Sequence, residues 1–263
     1  MSTPTIFITG AARGIGRACA ERFAAGGYFV GLYDLEIDAL AASAEALADR
    51  HGLDRICHSA LDVRDPTSIR AAIDHFAEHT GGRMHVLLNN AGVMHVGPFE
   101  AIEIDKHRHM IDVNFAGVVA VAHAGFGLLS DTPGARLINM SSASAIYGMP
   151  EMATYSATKH AVRGLTEALD IEWERFDIRV ADVMPIFVDT ELLTRTRKAS
   201  ASDKLGVHLQ ATDVAEVVWE AATSRRRRIH WPVGVQTQLA YHGSRLAPTL
   251  LERLVVRWMT KTS

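Results

Sequence analysis

The chain has 263 residues, of which 48% are hydrophobic and 22% charged, and a formal net charge of -3. It is long enough to bury one sizeable core, and its near-neutral balance excludes a general electrostatic attraction to nucleic acid, which favours small-molecule partners. The two cysteines, Cys19 and Cys57, stand far apart in no metal or redox spacing, which excludes a disulfide framework.

The apolar run Ile6-Phe7-Ile8 begins within a few residues of Met1 and leaves no room for a signal peptide, so a cytoplasmic location is expected. From there, short β-type runs alternate with longer alanine-rich helical ones. Strands are predicted near residues 6–9, 29–33, 56–60, 86–89, 136–140, 179–184 and 228–230. Helices are predicted from near Gly14, Asp38, Pro66, Asp105, Thr154 and Thr212. This βαβ repetition predicts an α/β fold, a single doubly wound domain over 1–263 with a parallel sheet of about seven strands and helices on both faces. Within it, a nucleotide-binding half runs to about residue 112, a catalytic half spans about 113–240 and an amphipathic extension spans about 241–263. Residues 113–130 carry no Asp, Glu, Lys or Arg. Asn114, His123, Ser130 and several glycines there point to a helix buried on all sides rather than a membrane span.

After the first strand, the run Thr9-Gly10-Ala11-Ala12-Arg13-Gly14-Ile15-Gly16 places glycines where a backbone can approach a diphosphate and a helix N-terminus can face it. Asp34 ends the next strand about 20 residues on. A carboxylate there accepts from both ribose hydroxyls and repels a 2′-phosphate, so NAD is expected over NADP. Arg13 is the contrary signal, as a phosphate partner or a solvated loop charge. Asp62, after the third strand, either accepts from an adenine amino group or caps a turn. Asn89-Asn90-Ala91-Gly92 follows the fourth strand, where a ligand crevice should open.

Tyr155 and Lys159 stand one helical turn apart, with β-carbons about 5 to 6 Å from each other. A cation beside a phenol favours the phenolate, and lowering a pKa of ~10 by about three units is worth roughly 4 kcal/mol. The bare spacing also fits an ordinary surface pair.

Taken together, these segments resemble the classical short-chain dehydrogenase/reductase family from Thr5 to about Pro232. The turn from Thr9 to Gly16, the run from Asn89 to Gly92, Asn114, Ser142, and the Tyr155 and Lys159 pair occur in the family's order. The resemblance implies a Rossmann-type fold and hydride transfer between NAD(H) and a secondary alcohol or ketone. It implies that Tyr155 is the acid/base and that Lys159 lowers its pKa and holds the nicotinamide ribose. Ser142 would bond the substrate oxygen, and Asn114 would anchor a water linking the lysine to solvent. Implied cofactor contacts are the turn residues Gly10, Arg13, Gly14, Ile15 and Gly16, then Asp34, Asp62, Val63 and Asn90. Tyr155, Lys159, Val188 and Thr190 complete them. Ile186 departs from the family pattern, which has glycine after the proline.

The substrate is implied to lie between Met94 and His95, the segment from Ser144 to Met152 that includes Met149, and the loop beyond Phe187, a mostly apolar wall that suits a lipophilic or aromatic molecule. Arg195, Arg197 and Lys198 in the expected lid read as a solvated face. A homodimer or homotetramer is implied through the helices near Asp105 and Thr154. No metal is expected, because the thirteen histidines show no ligand spacing; His107 and His109 do not share a helix face. Arg225 to Arg228 reads as an exposed turn, since no aromatics interleave with it. Leu246, Leu250, Leu251, Leu254, Val255, Trp258 and Met259 form an apolar stripe opposite Arg253, Arg257 and Lys261. That stripe is expected over the pocket mouth or against another subunit, with peripheral membrane contact as the lesser reading. Two alternatives to an enzyme stay open, a non-catalytic NAD(H) sensor and a membrane-surface scaffold using the C-terminal helix.

Overall fold

The computed structural model describes residues 3–186, 188, 209–244, 253, 254, 256 and 257. The strands are β1 (Thr5–Thr9), β2 (Phe29–Asp34), β3 (Ile56–Ala60), β4 (Val86–Asn89), β5 (Arg136–Met140), β6 (Arg179–Met184) and β7 (His230–Pro232). They form one seven-stranded sheet in the order β3-β2-β1-β4-β5-β6-β7, and every pairing is parallel. A parallel sheet covered on both faces needs strands that are apolar throughout. All of β1 is buried, as is all of β4.

Helices α1 (Gly14–Ala25), α2 (Ile37–His51) and α7 (Ala211–Thr223) cover one face. Phe23, Tyr28 and Trp219 lock α1 to α7 edge to face, at centroid distances of 5.0 to 5.5 Å. Helices α3 (Pro66–Thr80), α4 (Ile104–Ile111), α5 (Gly117–Ser130) and α6 (Ala153–Glu172) lie on the other, and α8 (Gly234–Ser244) follows β7. Local chemistry sets the boundaries. Asp65 accepts from the Thr67 amide at 2.9 Å and Pro66 opens α3, while left-handed Gly81 closes it.

Three expectations need correction. The last strand lies two residues later than predicted, because the arginines before it form a turn while Trp231 and Pro232 supply the buried edge. Helix α8 was not anticipated, since its sequence has little contrast between apolar and polar faces. Helix α5 is not buried on all sides: Gly117, Val121, Ala122, Gly125 and Leu129 face the core, but Val119 is 39% exposed. By length and composition alone, the run Ile104–Ser130 could cross a membrane, yet 44% of its most apolar window is buried within the chain.

The order of strands reverses direction between β1 and β4. Ligand crevices in such sheets open at the carboxyl ends of the strands flanking that point.

Candidate active site

A cavity of about 840 Å³ opens at the carboxyl end of the sheet. From the β1 side it is lined by Gly10, Ala12, Arg13, Gly14 and Ile15. Gly10 and Gly14 take positive φ values of 66° and 54°. A Cβ on Gly16 would lie 2.0 Å from the Gly10 carbonyl oxygen, and one on Gly10 would lie 2.8 Å from Ala91 Cα. Only glycine fits such contacts, so the turn closes tightly onto the end of β4. Asn90 holds that closure, its amide donating to the carbonyls of Thr9 and Gly10 at 3.1 and 2.9 Å. Arg13 contributes no side-chain cap to α1. The first N–H groups of that helix are therefore available to an anion at the cavity, which fits a dinucleotide diphosphate.

Asp34, at the end of β2, also lines the cavity. Its Oδ2 accepts from the Ala12 amide at 2.9 Å and its Oδ1 from the Glu36 amide at 3.0 Å, so one carboxylate ties β2 to the glycine turn. Arg13 pairs with Glu36 at 2.8 Å across the same rim. Asp62 and Val63 line the cavity beyond β3. Asp62 is engaged by Arg64 through both oxygens, at 2.6 and 2.9 Å, and this hydrogen bonding holds its carboxyl below the usual range.

Ser142, Tyr155 and Lys159 line the same cavity from β5 and α6. Lys159 is buried, its Nζ donates to the Met140 carbonyl at 2.7 Å, and it sits 5.6 Å from the centre of the Tyr155 ring. Desolvation lowers its pKa from 10.5 to about 8. The Tyr155 pKa moves against expectation. Burial raises it above the ordinary tyrosine value, and the counteracting influence is a hydrogen bond from Ser142 rather than the lysine.

Asn114 is fully buried behind the cavity on a π-helical turn, Asp112–Ala116, that joins α4 to α5. Its amide makes a closed pair with Val93, accepting from the backbone N–H and donating to the carbonyl, each at 2.8 Å. The wider turn shifts the helical register, which places this one polar side chain inward. Gly92 stands between: a Cβ there would lie 3.3 Å from Asn114 Oδ1 and 3.8 Å from Lys159 Nζ.

Of the expected substrate contacts, Met94, Ser144, Met149 and Met152 line the cavity and His95 does not. Its imidazole is partly buried beside Met94, whose side chain takes the inward position instead. Phe187, Thr190, Arg195, Arg197 and Lys198 lie outside the described residues, while Val188 lines the cavity and bridges to Leu209. Ile186 does face the cavity, so the departure from glycine adds apolar bulk to its wall. Ile146 and Tyr147, within the expected segment 144–152, also line the cavity, whereas sequence reading missed His109, together with Gln236, Ala240, Gly243 and Ser244. The last four share one face of α8 at helical spacing, and recognising that helix would have found them. Of the C-terminal stripe only Leu254 falls among the described residues, and it is 61% exposed, while Leu246, Leu250, Leu251, Val255, Trp258 and Met259 lie outside them; Val256, which is not on that stripe, is buried and lines the cavity.

The short chain dehydrogenase family profile matches residues 4–201. Sulfoacetaldehyde reductase 2 of Chromohalobacter salexigens is 36% identical over 83% of this chain and 88% of its own length. D-threitol dehydrogenase of Mycolicibacterium smegmatis is 34% identical over 70% of each. The crystal structure of a short chain dehydrogenase/reductase from Burkholderia phymatum, in complex with NAD, superposes with a TM-score of 0.82 at 27% identity, covering 96% of this chain and 95% of that one. The chain belongs to the short-chain dehydrogenase/reductase family, and its sheet is the Rossmann-like sheet of that family.

Proposed function

We propose that the chain transfers a hydride between NAD(H) and a secondary alcohol or its ketone, with Tyr155 as the acid/base. The observation that carries this reading is the shared cavity, lined on one side of the switch point by the glycine turn and Asp34 and on the other by Ser142, Tyr155 and Lys159. A bound nicotinamide supplies the hydride acceptor for oxidation or the donor for reduction. Tyr155 takes the hydroxyl proton as the alcohol carbon loses hydride, and returns a proton to the carbonyl oxygen in the reverse direction. Ser142 holds that oxygen and donates to the phenolate as it forms. Lys159 spends one N–H on Met140 and keeps two for ribose hydroxyls. Asn114, beside Gly92 and the lysine, is assigned the water that connects Lys159 to solvent.

The carboxylate at Asp34 and the pairing of Arg13 with Glu36 support NAD over NADP, because an acidic rim disfavours a 2′-phosphate. Met94, Met149, Met152, Ile146 and Ile186 support a lipophilic or aromatic substrate, in contrast to the small polar compounds named for the two relatives above. We assign the chain to the cytoplasm and to a dimer or tetramer. Nicotinamide absorbance against a panel of alcohols and ketones tests the reading. Turnover of apolar secondary alcohols or their ketones is expected, and tight NAD binding with no turnover of any panel member would make the chain a nucleotide sensor.

A further inference from the structure

Cys57 on β3 and His75 and His79 on α3 come together on the α3 face of the sheet, and none of them lines the active-site cavity. One ligand atom from each lies within 4.8 Å of the others. This corrects the expectation that the histidines form no cluster. His75 and His79 are four residues apart and share a helix face, with ring centroids 4.4 Å apart, while their third partner comes from a distant strand. We propose that Cys57, His75 and His79 form a binding site for a divalent cation of the zinc class.

The donor set is the first argument. One thiolate and two imidazoles suit a cation of intermediate softness, and a fourth position stays open to water. Surrounding hydrogen bonds are the second. The buried Tyr33 hydroxyl lies 3.7 Å from Cys57 Sγ and 2.9 Å from His75 Nδ1, so it can accept from the imidazole and donate to the thiolate. His79 Nδ1 lies 2.8 Å from the His75 carbonyl and donates to it, which leaves the lone pair on Nε2 for a ligand. Such outer contacts orient metal ligands in known sites.

Access is the third argument, since Cys57 is buried, His75 partly buried and His79 exposed. A cation can arrive at His79 and reach the sulfur without unfolding the sheet. Donors around a tetrahedral zinc stand roughly 3.5 Å apart given the usual bond lengths, so small side-chain adjustments would have to draw the three donors together on binding. Binding requires a thiolate and neutral imidazoles, so the cation displaces the Cys57 proton as it binds.

Cobalt(II) titration of the untagged, cofactor-free protein provides the test. Visible d–d bands of a tetrahedral site and a sulfur-to-cobalt charge-transfer band are expected, both lost on adding zinc. Cys57→Ser should abolish the charge-transfer band. His79→Ala removes an exposed ring whose contacts are with its own helix and its rim, so it should move the metal-free melting midpoint little while weakening cobalt binding about tenfold or more. Absence of the charge-transfer band in the wild type, or equal affinity in His79→Ala, would overturn the site. Neither outcome bears on hydride transfer.

Discussion

Lys159 is an ammonium held out of water beside a phenol that burial keeps protonated. Its cost to the cofactor-free chain has a definite pH dependence. Below about pH 8 the lysine is charged in both folded and unfolded chains, and the folded one bears the full desolvation penalty. Between about 8 and 10.5 the folded chain releases the proton first, so this contribution to stability rises with pH; above 10.5 it is level. Lys159→Met should therefore unfold at higher urea than the wild type at pH 7, by up to roughly 3 kcal/mol less the lost bond to Met140. The gain should shrink as pH approaches 10, and a pH-independent difference would contradict this account. At Asp34, alanine should narrow the preference for NAD over NADP in initial rates and cost about 1 to 3 kcal/mol through its two backbone bonds. An unchanged ratio would mean Asp34 does not read the ribose. The residue types and spacings at this site were legible in the sequence. The direction of the Tyr155 shift was not, because burial is set by segments distant in the chain.

Among the elements, the glycine turn was readable because strand, turn and helix are contiguous. The π-helical turn at Asn114 and the cavity face of α8 were not, since both depend on tertiary packing rather than on local periodicity. Helix α8 packs beside a polar cluster built on the His230 and Asp182 pair. His230 Nδ1 lies 3.0 Å from Asp182 Oδ1, its Nε2 lies 3.0 Å from Glu167 Oε1, and its ring is 5.7 Å from that of Tyr241 on α8. Asp182 is fully buried, its Oδ2 has no hydrogen-bond partner among the described residues, and burial raises its pKa. Removing His230 isolates that carboxylate, so His230→Ala should cost about 3 to 5 kcal/mol in urea unfolding. Adding Asp182→Asn should recover part of the loss by removing the uncompensated charge. A double variant no more stable than His230→Ala would show that the charge is not the cause.

For the molecule as a whole, strand alternation identified the layers and number of strands, while the bounds of the last strand and the helix that follows it needed the folded chain. Two long helices leave apolar positions uncovered, with Val119 on α5 39% exposed and Ile171 on α6 74% exposed. We expect light scattering to report a dimer or tetramer, and Val119→Glu to shift it toward smaller species; a wild-type monomer would contradict this. The central claim is that the Tyr155 phenol exchanges the proton that accompanies hydride transfer. Turnover of the best panel substrate, followed by nicotinamide absorbance, tests it directly in Tyr155→Phe. A loss in kcat of at least about 100-fold with NAD affinity retained is expected. Turnover close to wild type would contradict the account.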